Sequence, residues 1–210
     1  MYSSLPSPDR LDRLAAAFAT LGRLHLTSPT ADELDQIHRL RGDWPLAGGD
    51  SDIGLAELAR SEQAQEDATE IRRDHNLLYG VLAQADVHPY ESVHRSLEGI
   101  VFDEETLAVR EAYRQLGLQA PRLNKEPDDH IGLEFSFISQ SCLRALDALE
   151  ADNRSEAERV YVIGVRFMTE HILQWAPLML ETAAEKARTH FYRGVMYLSL
   201  GAIADYEGGA

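Results

Sequence analysis

The chain has 210 residues, 44% of them hydrophobic, with 35 acidic and 20 basic side chains and a formal net charge of −15. Enough apolar side chain is present for a sizeable core, and such a negative surface repels phosphate backbones, so disorder and nucleic-acid binding are both disfavoured. A lone cysteine, Cys142, excludes an internal disulfide framework or a cysteine zinc site, and no apolar run approaches a membrane span, so no stable membrane insertion is expected.

Helical periodicity dominates in chain order. Ser7-Pro8 form a cap and first-turn pair ahead of an apolar face of Leu11, Leu14, Phe18 and Leu21. Thr30 and Glu33 have capping-box spacing, and Leu34, Ile37 and Leu40 continue that helix to Gly42. Asp43 to Ser51 is expected to be a loop. A helical region follows from about Asp52 to Tyr79, with a break expected near Arg60, and its second half places Ala64, Ala68, Ile71, His75 and Leu78 on one stripe. Val81 to Pro89 is a connection. Asp103 can cap a helix carrying Val109, Tyr113 and Leu116, which Gly117 ends, and Ala120 to Glu126 is a loop.

The next helix is expected to start at Asp128 or Asp129 and to bury Ile131, Phe135, Ile138, Cys142 and Leu149. Cys142 on that face is expected to be a buried, inert thiol. Asn153-Arg154 close the helix, and Ser155 with Glu158 forms a second capping box for a helix through His171. Trp175-Ala176-Pro177 should break the chain before one or two helices over Leu178 to Asp205. No hairpin or βαβ signal occurs. The expectation is an all-α, single helical domain over residues 1–210, of about eight to ten helices.

The densest polar group is Glu126-Pro127-Asp128-Asp129-His130, with Glu134 one turn on. Pro127 holds Glu126 extended, and acidic side chains at a helix start are favoured by free N–H groups, so capping alone accounts for part of the pattern. His130 and Glu134 are spaced for an i, i+4 contact. Metal ligation is a second reading, because Glu91 and His94 have the Glu-x-x-His spacing of di-iron bundles; a second such pair is missing. Asp129 and His130 could serve as acid and base, but no nucleophile, phosphate loop or zinc-protease motif accompanies them, so no enzyme and no cofactor are expected. The third reading is recognition of a peptide that combines arginines with an apolar stretch, through carboxylate–guanidinium bonds and an inter-helix groove. A general acidic peptide-binding module is the less selective form of that reading.

The segment Glu126-Pro127-Asp128-Asp129-His130-Ile131-Gly132-Leu133-Glu134 resembles the Glu-Pro-x-Asp-His-x-Gly-x-Glu signature of the TorD/DmsD family of redox-enzyme maturation chaperones. Leu78-Tyr79, Pro89-Tyr90-Glu91-Ser92-Val93-His94 and Glu170-His171-Ile172-Leu173-Gln174-Trp175-Ala176-Pro177 resemble three flanking family segments, in order, across Ile71 to Pro177. Three departures stand out: His75 where several members carry an aromatic residue, Val81-Leu82 for Gly-Pro, and His94 for tyrosine. The last explains the isolated Glu-x-x-His pair as a family segment with one substitution. The NarJ branch, which serves nitrate reductases that are not exported, has a less complete signature.

The resemblance implies a cytoplasmic chaperone, monomer or homodimer, without a cofactor. Its partners would be the twin-arginine leader and the catalytic subunit of a molybdenum-cofactor enzyme of the dimethyl sulfoxide reductase type, held back from export until cofactor insertion. Glu126, Pro127, Asp129 and His130 are then expected to meet the arginines, with Leu78, Tyr79, Pro89, Ser92 and His75 forming the neighbouring groove. Asp128, Glu134, His171 and Trp175 are expected to cap and pack.

Overall fold

The computed structural model describes residues 4–80, 85–95, 104–120 and 127–208. Among these the fold is all-α, in ten helical segments: α1 (Pro8–Leu26), α2 (Ala31–Leu40), α3 (Gly49–Ala64), α4 (Ala68–Tyr79), α5 (Glu91–Arg95), α6 (Glu104–Gln115), α7 (Ile131–Glu150), α8 (Arg154–Phe167), α9 (Leu173–Lys186) and α10 (His190–Gly208). A 3₁₀ turn over Arg41–Asp43 follows α2, and a π turn over Met168–Ile172 joins α8 to α9.

Local rules account for most starts. Ser7 accepts from Arg10 N–H with Pro8 in the first turn, and Thr30 and Glu33 close a full capping box. Leu11, Leu14, Phe18 and Leu21 are wholly buried, as are Ile131, Phe135, Ile138 and Cys142 on α7, and burial pushes the Cys142 thiol up to about 12. The α1–α7 contact is the most extensive in the molecule, followed by α3–α10. The buried side chains of all these helices form one continuous core.

Several boundaries depart from expectation. The break in the 52–79 region falls at Gln65, whose φ is +57°, and not at Arg60; Asp67 then starts α4 with a capping box to Glu70. Ala64 ends up exposed because the stripe crosses that break. Helix α3 begins at Gly49, inside the expected loop. Asn153, accepting from Glu156 N–H, caps α8 in place of Ser155. Trp175-Ala176-Pro177 does not break the chain. Pro177 sits inside α9, one turn past the wide π turn, which re-registers the backbone ahead of the missing N–H. Asp103, Val81-Leu82 and Glu126 lie outside the described residues. Among those described, no helix is long and apolar enough to cross a membrane.

Candidate functional site

Pro127 to His130 form a turn and not the first turn of a helix. Helix α7 starts at Ile131, and its N-cap is His130, whose Nδ1 accepts from Gly132 N–H at 3.0 Å. Asp128 and Asp129 do not cap, which corrects the role expected for Asp128. Both are fully buried because stronger donors wait inside. Asp128 accepts from Arg110 Nε at 2.6 Å, and its carbonyl accepts from Tyr113 O–H at 3.0 Å. Asp129 accepts from Ser92 N–H at 2.7 Å and from Thr106 O–H at 2.9 Å. Two backbone bonds, Glu91 N–H to Asp129 O and Ile131 N–H to Pro89 O, pair Tyr90 with His130 in an isolated antiparallel bridge. The turn is therefore stitched to α5 and α6 from below.

A second buried layer lies beneath it. Glu91, wholly buried, pairs with Arg95 and accepts from His171 Nδ1–H at 2.8 Å. Glu134, also wholly buried, accepts from Trp175 Nε1–H at 3.2 Å rather than contacting the His130 ring one turn away, as its spacing had suggested. Burial, and then the charges of Glu91 and Asp129, hold the Glu134 carboxyl well above the usual carboxylate range. His171 and Trp175 link the π turn and α9 to this layer. The Glu91–His94 pair is split: Glu91 turns inward, while His94 donates to His88 O at 2.7 Å and stacks on Trp175 at 5.1 Å. Among the described residues no group of three or more metal-binding side chains converges.

What faces outward is a wall of rings. His75, Tyr79, Tyr90 and His130 are half-buried, while Leu78, Pro89, Ser92 and Pro127 are buried behind them. His130 meets the edges of Tyr90 at 5.2 Å and Tyr79 at 6.2 Å, and His75 meets Tyr79 at 5.3 Å. His25, wholly buried, anchors the wall from α1. Ser199 gives its proton to Val195 O, so its oxygen accepts from His25 Nε2–H at 2.8 Å. Neutral His25 then accepts the Tyr79 O–H at Nδ1, 2.7 Å away. The His75 Nε2–H donates to His25 O at 3.1 Å. Tyr79 is thus fixed by its hydroxyl and offers its ring.

The expectation that Asp129 faces a client gives way here, since both of its oxygens are spent inward. Tyr90, His25, Arg110 and Thr106 were not singled out from sequence. His25 follows Leu21 by four on the apolar face of α1, and that spacing was the available signal.

Burial lowers His25 and His130 to about 3 each, and it lowers His75. All three rings are neutral at pH 7, so the wall repels neither cation nor neutral ligand. Between pH 6.5 and about 3 the unfolded chain binds protons that the folded rings refuse, so stability is lost as pH falls through that window. His25 alone accounts for about 2 kcal/mol between pH 6.5 and 5. Raised Glu134 acts in the opposite sense, and His130 and His75 act in the same sense as His25. Urea unfolding at pH 7 and pH 5 is expected to differ by about 2 kcal/mol in favour of pH 7; equal stabilities would contradict the neutral-ring assignment.

Residues 49–181 match the model of the nitrate reductase delta subunit family. The Tat proofreading chaperone DmsD of Salmonella typhi is 25% identical over 200 residues, which cover 93% of this chain and 90% of that protein. The chaperone protein TorD of Vibrio atlanticus is 24% identical over 197 residues, 90% of each chain. In fold, the chain is similar to a crystal structure from Archaeoglobus fulgidus described as a redox enzyme maturation protein, with a TM-score of 0.52, 18% identity and coverage of 95% and 96%.

Proposed function

Because this chain belongs to the nitrate reductase delta subunit family, we propose that it is a cytoplasmic maturation chaperone that binds the twin-arginine leader of a molybdenum-cofactor oxidoreductase of the dimethyl sulfoxide reductase type. It also engages the body of that enzyme, assisting cofactor insertion and delaying export. The protein acts by binding and not by catalysis. The observation that carries this reading is the wall of His75, Tyr79, Tyr90 and His130, four neutral rings standing on buried carboxylates.

A guanidinium stacks on aromatic faces better than an ammonium does, because it is planar and weakly hydrated. The rings supply that surface, and the net charge of −15 draws the basic leader toward it. Asp128, Asp129, Ser92 and Pro127 hold the wall in place, while Glu126, next to Pro127 in sequence, is the carboxylate proposed to meet an arginine directly. The relatives named DmsD and TorD support this branch. The family match itself equally fits a NarJ-type chaperone of a nitrate reductase that is not exported.

Titrating the host's twin-arginine leader peptides into the protein by calorimetry is expected to give a micromolar Kd, with a Lys-Lys leader binding about tenfold more weakly. Failure to bind any of those leaders sinks this reading and favours the NarJ-type alternative.

A further inference from the structure

The hydrogen bond that caps α7 also fixes which nitrogen of His130 carries its proton. The Gly132 N–H points at Nδ1, so Nδ1 is the unprotonated nitrogen and Nε2 bears the hydrogen. No described residue accepts a bond from Nε2, and His130 is half-buried. The His130 ring that carries it stands against the rings of Tyr79 and Tyr90. At neutral pH this edge is a donor and nothing else.

A donor cannot bond an arginine side chain, which has five N–H donors and no acceptor. An anionic acceptor is also disfavoured. Asp129 lies buried beneath, bonded to the neutral donors of Ser92 and Thr106, and the chain as a whole is strongly negative. What remains is an uncharged oxygen. We infer that His130 recognises a backbone carbonyl of the bound leader through Nε2–H, so that the rings take the guanidinium while His130 fixes the peptide's main chain. This rests on the leader-binding reading above, and it assigns His130 a different partner from the arginines that its place in the signature suggested. It also gives one residue two duties, since the bond that starts α7 is the one that aims the donor.

The decisive readout is the imidazole of His130 in the unmodified protein, by ¹H–¹⁵N NMR, free and saturated with a twin-arginine leader. The expected result is an unprotonated Nδ1 in both states and an Nε2–H proton that moves downfield and exchanges more slowly on binding. His130→Asn keeps a strong N-cap through Oδ1, but its shorter amide does not reach the position of Nε2. It is expected to bind the leader roughly tenfold more weakly, the loss of one bond to a desolvated acceptor, with an unchanged unfolding transition. If the leader binds while the Nε2–H signal stays put, or the Asn variant binds equally well, the inference is overturned and the chaperone reading stands. If the unmodified protein binds no leader, both fall.

Discussion

Arg110→Ala is expected to lower the unfolding free energy by about 3–5 kcal/mol, because it strands Asp128 as a buried charge without its cation. The Asp128 side chain has 0% exposure and the Arg110 side chain only 18%, so solvent cannot replace the guanidinium. The penalty for an uncompensated buried carboxylate exceeds the worth of the pair itself. The loss should therefore shrink when the charge is removed too: Arg110→Leu with Asp128→Asn is expected to recover more than half of it. Urea denaturation at pH 7 of Arg110→Ala and of the double variant makes the comparison. A loss under 1 kcal/mol for Arg110→Ala would show that Asp128 is solvated in the folded state. Leader binding should weaken with Arg110→Ala as well, since Asp128 holds the turn that carries His130.

How much of this was legible in the sequence depends on the range of the interaction. The caps at Ser7 and Thr30 and the apolar faces of α1 and α7 follow from neighbours within a turn or two, and they were read correctly. The start of α7 was misplaced because local chemistry favours aspartates as caps, whereas Arg110, Thr106 and Ser92 draw both of them inward from 18 to 37 residues away. His130 was left to cap, which spacing alone does not announce. Pro177 misled for a similar reason: a proline breaks a helix by rule, but the preceding π turn absorbs the lost bond.

The site was legible as a segment and not as a surface. Sequence marked Glu126 to His130 as too polar for a cap, and the family signature made it a peptide contact. Burial divides that segment by layer. The aspartates are scaffold, and the groups that reach outward are rings contributed by α4, by Tyr90 and by the cap of α7. No periodicity brings Tyr79, Tyr90 and His130 together; the bridge between residues 90 and 130 does.

The glycine of the signature is likewise explained by a partner far away in sequence, and this gives the second large expected effect. Gly132 faces Gly22 where α1 crosses α7, and a Cβ at Gly132 would lie 2.6 Å from the Gly22 carbonyl oxygen and 2.6 Å from Leu26 Cγ. A Cβ at Gly22 would lie 2.8 Å from the Gly132 carbonyl oxygen. Leu26 can rotate away, since it is partly exposed, but the opposing carbonyl is backbone, and relieving that contact means separating the two most extensively packed helices of the fold. Gly132→Ala gains about 1 kcal/mol of helix propensity, yet overpacking costs about 1–3 kcal/mol and more where backbone must move. A net loss of about 2 kcal/mol is expected. Gly42→Ala provides the contrast, because nothing lies within 4 Å of its Cβ, and its stability should stay within about 0.5 kcal/mol of the parent. If Gly132→Ala unfolds like Gly42→Ala, the close approach is not a constraint on the fold. If it unfolds earlier, the displaced α7 start should also misdirect the His130 donor, and leader affinity should drop alongside stability.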